Sequence, residues 1–135
     1  DKHRGVKTFI DNTIEQTKKD GYVTTLLGRK RPMPDINSPH MGMRSFAERT
    51  AINTPIQGTA ADMIKVAMVK VNAKLKSQNS KLILQVHDEL VLECPKEEAE
   101  KVKKIVEEEM TGALLLKVPV KVDIGIGKNW TETKT

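Results

Sequence analysis

The sequence predicts an α+β fold in which helices pack on an antiparallel sheet. Stretches with the periodicity of helices alternate with short β-rich runs along the chain. Two of these runs, Leu82–Val86 and Leu90–Cys94, are separated only by a tight polar turn, which predicts an antiparallel hairpin. At 135 residues, with 38% hydrophobic and 30% charged side chains, the chain has the size and composition of one globular domain.

The first third of the chain predicts a helix followed by a hairpin. Residues 5–19 carry one apolar stripe at helical spacing, and Gly21 is placed to end that helix. Residues 22–27 are β-rich and residues 28–32 contain turn formers, which together predict a hairpin. Residues 33–43 are rich in proline and glycine and are expected to be a loop.

Two helices are predicted next. The first runs from Ser45 to about Asn53 and pauses there, because Pro55 disfavours a helical conformation of the residue before it. Thr54 is placed to cap a second helix that opens with Pro55 and runs to about Ser77. The buried stripe predicted for this second helix consists of Ile56, Ala60, Met63, Ile64, Ala67, Val71 and Leu75.

A further helix and a final strand complete the predicted elements. Pro95 opens a helix whose first turn is acidic and which Gly112 ends. Between residues 118 and 126, apolar side chains alternate with polar or small ones, which is the pattern of a strand with one buried face.

Charge and cysteine content limit the classes of function. A net charge of +5 permits a polyanionic partner such as a nucleic acid but does not establish one. Cys94 is the only cysteine, so no disulfide can form within the chain, and a reducing compartment fits. No apolar run reaches the length of a membrane span. The polar start lacks both Met and the pattern of a signal peptide, and we expect a segment of a longer protein.

Three titratable residues, His87, Asp88 and Glu89, interrupt the most strand-like part of the chain. Turns attract polar residues, so a solvated turn explains all three as well as a functional site does. A rigid hairpin tip would also hold a carboxylate still, as binding of a hard cation such as Mg²⁺ requires. A zinc site is not indicated, because no His or Cys pair has the spacing of zinc ligands.

Arg49, Asn53 and Gln57 are spaced four residues apart, which places them on one face of a continuous helix. All three side chains can donate hydrogen bonds to the base edges or sugars of a nucleic acid. As a pattern alone, a solvated helix face is at least as good an explanation.

Two other features have both a packing interpretation and a nucleic-acid interpretation. The small residues 58–61 would allow the close approach of another element of the fold or of a nucleic-acid backbone. The basic residues 29–31 and Arg44, all expected on loops, could bind phosphates or serve solubility.

Longer stretches of the sequence resemble one known family. The segments Glu48–Met68 (ERTAINTPIQGTAADMIKVAM) and Leu84–Glu93 (LQVHDELVLE) closely resemble the C-terminal part of the polymerase domain of bacterial family A DNA polymerases, the DNA polymerase I type. The flanking segments Asp20–Ile36 and Pro119–Trp130 agree with the same family. The resemblance covers nearly the whole chain in the same order, and it implies a palm-type antiparallel sheet within a right-hand polymerase domain.

The resemblance implies a catalytic site at the central hairpin. Residues 86–89 match the family's Val-His-Asp-Glu motif, in which Asp88 would be one of two aspartates that bind a pair of Mg²⁺ ions. His87 would lie beside the primer terminus, and Glu89 would lie close to the metal ions. The partners implied are primer–template DNA and deoxynucleoside triphosphates.

The resemblance also implies a DNA-binding surface. Arg49, Asn53 and Gln57 match the family's residues that follow the minor groove of the primer–template duplex. Gln85 and Arg44 match positions near the duplex, the first at the hairpin and the second at the duplex backbone.

Residues 1–43 would form a helix and hairpin at the junction of fingers and palm, and residues 44–135 a portion of the palm. The family's other catalytic aspartate and its nucleotide-gripping helix are not in this sequence, so we expect the chain alone to be inactive. The longer protein would be a DNA-directed DNA polymerase of the bacterial cytoplasm, associated with the nucleoid. Two alternatives are a non-catalytic nucleic-acid-binding module and a metal-dependent nuclease that uses Asp88 and Glu89.

Overall fold

A computed structural model describes residues 3–76 and 79–134 of the chain. The α-helices in these residues are α1 (Arg4–Asp20), α2 (Met41–Asn53), α3 (Thr59–Leu75) and α4 (Ala99–Thr111). The strands are β1 (Tyr22–Thr24), β2 (Lys30–Pro32), β3 (Lys81–Val86) and β4 (Glu89–Glu93), which pair as two antiparallel hairpins. The predicted α+β class is confirmed.

The chain forms two compact units, one ending at Asp62 and one beginning at Met63. The core of the first unit is formed by Val23, Met33, Ile36, Ala47 and Ala51. The core of the second unit is formed by Val71, Leu75, Val102 and Val106, with Leu92, Cys94, Met110 and Ile124 packed against it. The boundary predicted between residues 43 and 44 separates functional regions, whereas the boundary after Asp62 separates compact units. The functional boundary therefore stays a prediction.

Helix α1 and its end agree with the prediction. Gly21 has a φ of 74°, in the left-handed region that favours glycine, and its N–H donates to the Thr17 carbonyl at 2.8 Å. Lys18 and Lys19 lie in the last turn, where positive charge interacts favourably with the helix dipole.

The first hairpin is confirmed, with shorter strands than predicted. Tyr22 pairs with Pro32 and Thr24 pairs with Lys30, and the chain turns before the predicted end of the strand at residue 27. Gly28 has a φ of 82° and its N–H donates to the Thr25 carbonyl at 3.0 Å. Because Gly28 adopts this conformation without strain, the β-rich residues before it form the tip of the hairpin.

The loop predicted over residues 33–43 is partly wrong. A short 3₁₀ turn, Pro34–Asn37, is followed by α2, which already begins at Met41. Gly42 lies in the first turn of α2, where the backbone N–H groups lack helical partners in any case, so glycine does not delay the helix. Arg44 therefore lies on a helix, and its expected position on a loop is wrong.

The predicted pause between two helices is also wrong. Thr54 has φ −60° and ψ −43°, and its hydroxyl donates to the Thr50 carbonyl at 2.7 Å instead of capping a new helix. A π-helical segment, Thr54–Gly58, joins α2 to α3 without a break. The i→i+5 hydrogen bonding of a π turn accommodates Pro55, which lacks an N–H group, so the chain continues where an α-helix would be interrupted.

The π segment explains why only part of the predicted buried stripe is correct. Ala67, Val71 and Leu75 are buried as predicted. Ile56, by contrast, is 66% exposed, and Ala60 is exposed as well. A π turn advances the helix differently from an α turn, so residues before it do not continue the stripe that follows it. The predicted end at Ser77 lies outside the described residues.

Strands β3 and β4 confirm the central hairpin, with Val86 opposite Glu89. A bulge between Leu82 and Leu84 shifts the register near the start of β3. Helix α4 follows after a 3₁₀ turn, and the Gly112 N–H donates to the Glu108 carbonyl at its end, 2.9 Å away. Among the described helices, none is both long enough and apolar enough to cross a membrane.

The strand predicted over residues 118–126 is wrong, although its alternation is present. Val120, Val122 and Ile124 are half-buried, while the residues between them are exposed. A strand also needs a hydrogen-bonded partner, and no ladder involves this segment in the described structure. Pro119 has no N–H to donate, which weakens the pairing of its end further.

Candidate functional site

The tip of the second hairpin is a two-residue turn made of His87 and Asp88. His87 has a φ of 53°, the only positive φ found at a non-glycine residue in the described chain. This conformation costs on the order of 1–3 kcal/mol at a non-glycine residue, and such strain is concentrated at functional sites. The Gln85 side-chain amide donates to the His87 carbonyl and so supports the turn.

The three predicted hairpin residues are brought together at this tip and are all exposed. Glu89 is not a turn residue as the sequence suggested, because it is the first residue of β4 and pairs with Val86. Its Oε1 lies 3.5 Å from Nζ of Lys134. Sequence analysis missed Lys134, because no local pattern connects two residues so far apart in the chain.

The hairpin carboxylates are hard oxygen donors of the type that Mg²⁺ prefers. Mg²⁺ sites use one or two protein carboxylates together with water and substrate phosphates, so Asp88 and Glu89 fit a contribution to such a site. The residues that the structure describes contain no group of three or more His, Cys, Asp or Glu side chains able to hold a metal ion. The donor set therefore fits part of a magnesium site and does not fit a self-contained metal centre.

Arg49, Asn53 and Gln57 are all exposed, Arg49 and Asn53 on α2 and Gln57 in the π segment. In an α-helix, residues four apart drift by about 40° per step around the axis, because each residue advances by about 100°. A π turn is wider and takes up part of that drift between Asn53 and Gln57. The three side chains thus form one row of hydrogen-bond donors, although Arg49 Nη1 also donates to Ser45 Oγ at 2.9 Å.

Arg44 and Gln85 both have partners within the fold. Arg44 is half-buried and its Nη1 donates to the Ser38 carbonyl at 2.9 Å. Gln85 is half-buried and holds the His87 carbonyl. Each therefore has a structural role within its own unit.

The basic run in the first hairpin serves the fold of its own unit. Arg29 Nε donates to Oδ1 of the buried Asp62 at 2.7 Å, and its Nη2 donates to the Gly58 carbonyl at 3.2 Å. Arg31 Nη1 lies 3.4 Å from the Thr54 hydroxyl, and Lys30 Nζ lies 4.4 Å from the centre of the Tyr22 ring. The arginine contacts hold the hairpin against the helix, and the Lys30–Tyr22 contact joins its two strands; neither the phosphate nor the solubility interpretation anticipated this.

The small-residue motif also serves packing where Gly58 is concerned. A Cβ added at Gly58 would lie 2.7 Å from Cγ2 of Thr25 in the first hairpin. The Leu26 N–H donates to the Thr59 hydroxyl at 2.9 Å, at the same contact. The hairpin can approach the helix this closely because residue 58 has no side chain.

Comparisons with known proteins agree on one family. The family described as DNA polymerase family A matches residues 1–132. DNA polymerase I of Bacillus caldotenax is 53% identical over 132 residues, which are 96% of this chain and 15% of that protein. The thermostable DNA polymerase I of Thermus aquaticus is 47% identical over 129 residues, or 96% of this chain and 16% of that protein.

A solved structure has the same fold. The POL domain of Pol1 from M. smegmatis, in complex with DNA primer-template and dNTP, matches with a TM-score of 0.94 and 41% sequence identity. The match covers 97% of this chain and 24% of that one. This chain therefore spans only a small part of the relatives it resembles. Because the family match extends over residues 1–132, the chain belongs to DNA polymerase family A and forms part of its polymerase domain.

Proposed function

We propose that this chain is the C-terminal part of a DNA-directed DNA polymerase that adds deoxynucleotides to the 3′ end of a primer. The observation that carries the proposal is the tip of the second hairpin, where an exposed carboxylate, Asp88, follows a residue held in a strained conformation. Residues 1–43 belong to the junction of fingers and palm, and residues 44–135 to the palm. The longer polymerase works in the bacterial cytoplasm, at the nucleoid.

Asp88 is the metal ligand in this proposal. A pair of Mg²⁺ ions, when bound, would stabilise the attacking 3′ oxygen and the leaving pyrophosphate of an in-line displacement. The tight turn holds the Asp88 carboxylate in position. His87, which precedes it, lies against the primer terminus, and Glu89 supports the site from the first position of β4.

Arg49, Asn53 and Gln57 are proposed to check the shape of the new base pairs. The minor groove presents acceptors at similar places in every correct pair, and a mispair displaces them. A row of exposed donors on a rigid helix can therefore sense correct pairing without reading sequence. In this proposal Gln85 would contact the duplex at the hairpin and Arg44 would contact the DNA backbone.

The chain by itself would not add nucleotides. The family's other catalytic aspartate is not in this sequence, so the chain would hold only part of the proposed two-metal site. The chain spans 15% of the Bacillus caldotenax polymerase, and the remaining ligands come from another part of the longer protein.

A non-catalytic nucleic-acid-binding module is the second candidate. It is favoured by the net charge of +5 and by the exposed row of donors, neither of which requires a metal ion. A nuclease that uses Asp88 and Glu89 has no comparable support, since it would also need further carboxylates at the hairpin.

The test is an Asp88→Ala substitution in the longer polymerase, with Asp123→Ala as the control at an exposed aspartate outside the motif. We expect Asp88→Ala to lower primer extension with Mg²⁺ by about a thousandfold or more, because a catalytic metal ion contributes several kcal/mol. Binding of the primer–template duplex should change by less than about threefold in either variant, since one exposed carboxylate contributes little to it.

Retained extension by the Asp88→Ala polymerase would contradict the catalytic assignment. Extension should also be measured for the 135-residue chain alone. No extension agrees with an incomplete site, whereas extension that Asp88→Ala abolishes would show that the chain supplies all its metal ligands. A longer protein that binds the duplex but never extends a primer would favour the binding module.

A further inference from the structure

The C-terminal turn, Thr131–Lys134, brings a positive charge to the proposed metal site. Lys134 Nζ lies 3.5 Å from Glu89 Oε1 and 4.9 Å from the centre of the Trp130 ring. The ammonium group therefore lies beside Glu89, the residue that follows the proposed metal ligand Asp88 in the sequence. Nothing in the catalytic proposal uses this lysine.

The position of Lys134 follows from a locally well-specified turn. The Glu132 N–H donates to Asn129 Oδ1 at 3.1 Å, and Glu132 carboxylate oxygens accept from Asn129 Nδ2 and the Lys128 N–H, both at 2.9 Å. These reciprocal hydrogen bonds between Asn129 and Glu132 hold the start of the turn in place. The Thr133 hydroxyl donates to the Trp130 carbonyl at 2.6 Å and closes the turn.

Two glycines allow the preceding segment to lie directly against this turn. A Cβ added at Gly125 would overlap the Thr133 carbonyl oxygen. A Cβ at Gly127 would lie 2.6 Å from Cβ of Glu132. Residues 125–134 therefore fold back on themselves, and the lysine is presented from a defined backbone rather than from a free tail.

The ion pair between Lys134 and Glu89 is too exposed to be explained by stability. The two side chains are 56% and 46% exposed, and pairs of this kind contribute little to folding. The charge of Lys134 should affect cation binding more than it affects folding, because a unit charge within a few ångströms lowers the local concentration of divalent ions. Mg²⁺ and the ammonium group would favour the same carboxylate.

We propose that Lys134 is the counterion of Glu89 in the metal-free protein and that divalent-metal binding at the hairpin competes with it. This inference rests on the proposed function, since it assumes that Asp88 and Glu89 face the metal site. Lys134 would then act as a positioning residue that keeps Glu89 ordered before the metal arrives and sets the metal concentration at which the site fills.

The experiment is an Mn²⁺ titration of the longer polymerase, which would supply the remaining ligands, followed by the paramagnetic broadening of the backbone amide signals of residues 87–89. Lys134→Gln should lower the Mn²⁺ concentration at half-broadening by about three- to tenfold at low salt, and the shift should shrink as salt rises. Lys134→Arg should behave like the wild type. Lys117→Gln removes the same charge from an exposed residue outside the turn and should leave the midpoint unchanged.

Glu89→Gln tests whether the lysine acts through its carboxylate, because the effect of Lys134→Gln should largely disappear in that background. Equal midpoints for the wild type and Lys134→Gln, with clear broadening in both, would overturn the inference and leave Asp88 as a metal ligand. A full Lys134→Gln effect in the Glu89→Gln background would also overturn it. Absence of broadening at residues 87–89 in every variant would overturn the proposed metal site and the inference with it.

Discussion

Within the described residues 3–76 and 79–134, two antiparallel hairpins have charged tips, and they use those charges in opposite ways. In the first, Arg29 is bound to the buried Asp62 at 2.7 Å, and the residue with positive φ is Gly28. In the second, Asp88 is exposed, and the residue with positive φ is His87. The first tip is stabilised by its own unit, and the second retains a strained backbone and exposes its side chains.

This difference shows that charge at a turn does not by itself indicate a binding site. From the sequence, the basic tip could bind phosphates or serve solubility, and the acidic tip could hold a metal ion or be a solvated turn. What separates them is whether the side chains have partners within the fold and whether glycine relieves the unusual backbone conformation. On both criteria, Asp88 at the second hairpin is the better candidate for a functional residue.

The largest effect that separates the hairpins is expected from Arg29→Ala. This change leaves Asp62, which is only 9% exposed at its side chain, without its arginine. Breaking a buried ion pair costs about 3–5 kcal/mol, and because Arg29 is itself 50% exposed we expect about 2–3 kcal/mol. Urea denaturation of the 135-residue chain measures this loss directly.

Lys30→Ala and Asp88→Ala are the matched controls at the two tips. Each removes an exposed charge, and each should change the free energy of unfolding by less than about 1 kcal/mol, since Lys30 loses only an exposed contact with the Tyr22 ring. A loss for Asp88→Ala as large as that for Arg29→Ala would contradict the distinction between a structural and a functional hairpin.

Gly58→Ala tests the packing of the first hairpin on the helix. The new Cβ would lie 2.7 Å from Thr25 Cγ2, and Thr25 is only 4% exposed, so we expect a loss of about 1–2 kcal/mol. Gly42→Ala is the control, because nothing lies within 4 Å of its added Cβ, and it should be neutral or slightly stabilising. Thr25→Ser removes the clashing methyl group, so an undiminished loss in that background would refute the packing explanation.

A smaller effect of opposite sign is expected at the positive-φ residues. His87→Gly should be more stable than His87→Ala by about 1 kcal/mol, because only glycine is free of strain at a φ of 53°. Gly28→Ala should lose a similar amount at its φ of 82°. Equal thermal midpoints for His87→Gly and His87→Ala would mean that the second turn is not strained.

Local patterns predicted the elements whose signals are local. Helix α1 and its glycine cap, α4, and both hairpins follow from periodicity, turn residues and caps within short windows. The π segment was missed because Pro55 signals a break, while the hydrogen bonding that avoids one depends on the residues around it. The strand at residues 118–126 was overpredicted because alternation reports a buried face and cannot report a pairing partner.

The candidate site likewise has residues that the sequence indicated and contacts that it could not indicate. Spacing alone left Asp88 and the helix row open to two readings, and the family resemblance supplied their roles. Neither source revealed that Arg29 is held by Asp62 or that Lys134 lies at Glu89, because both contacts join residues distant in sequence. Contacts of this kind depend on the tertiary fold, which no local window contains.

Gln57→Ala in the longer polymerase tests whether the helix row has a role different from that of Asp88 at the second hairpin. Unlike a substitution at Asp88, Gln57→Ala should still allow nucleotide addition. It should weaken only the check of base-pair shape at the primer end. One lost hydrogen bond is worth about 1 kcal/mol, so extension from matched ends should slow by about fivefold. Extension from mismatched ends should slow by a different factor, so that the ratio of the two rates changes. The measurement is the ratio of matched to mismatched extension rates.

Asn72→Ala removes an exposed amide from α3, outside the row, and serves as the control. If Gln57→Ala and Asn72→Ala both leave the rates and their ratio at the wild-type values, Gln57 belongs to a solvated helix face. If only Gln57→Ala changes the ratio, the row senses base-pair shape, and the hairpin and the helix divide catalysis and pairing control between them.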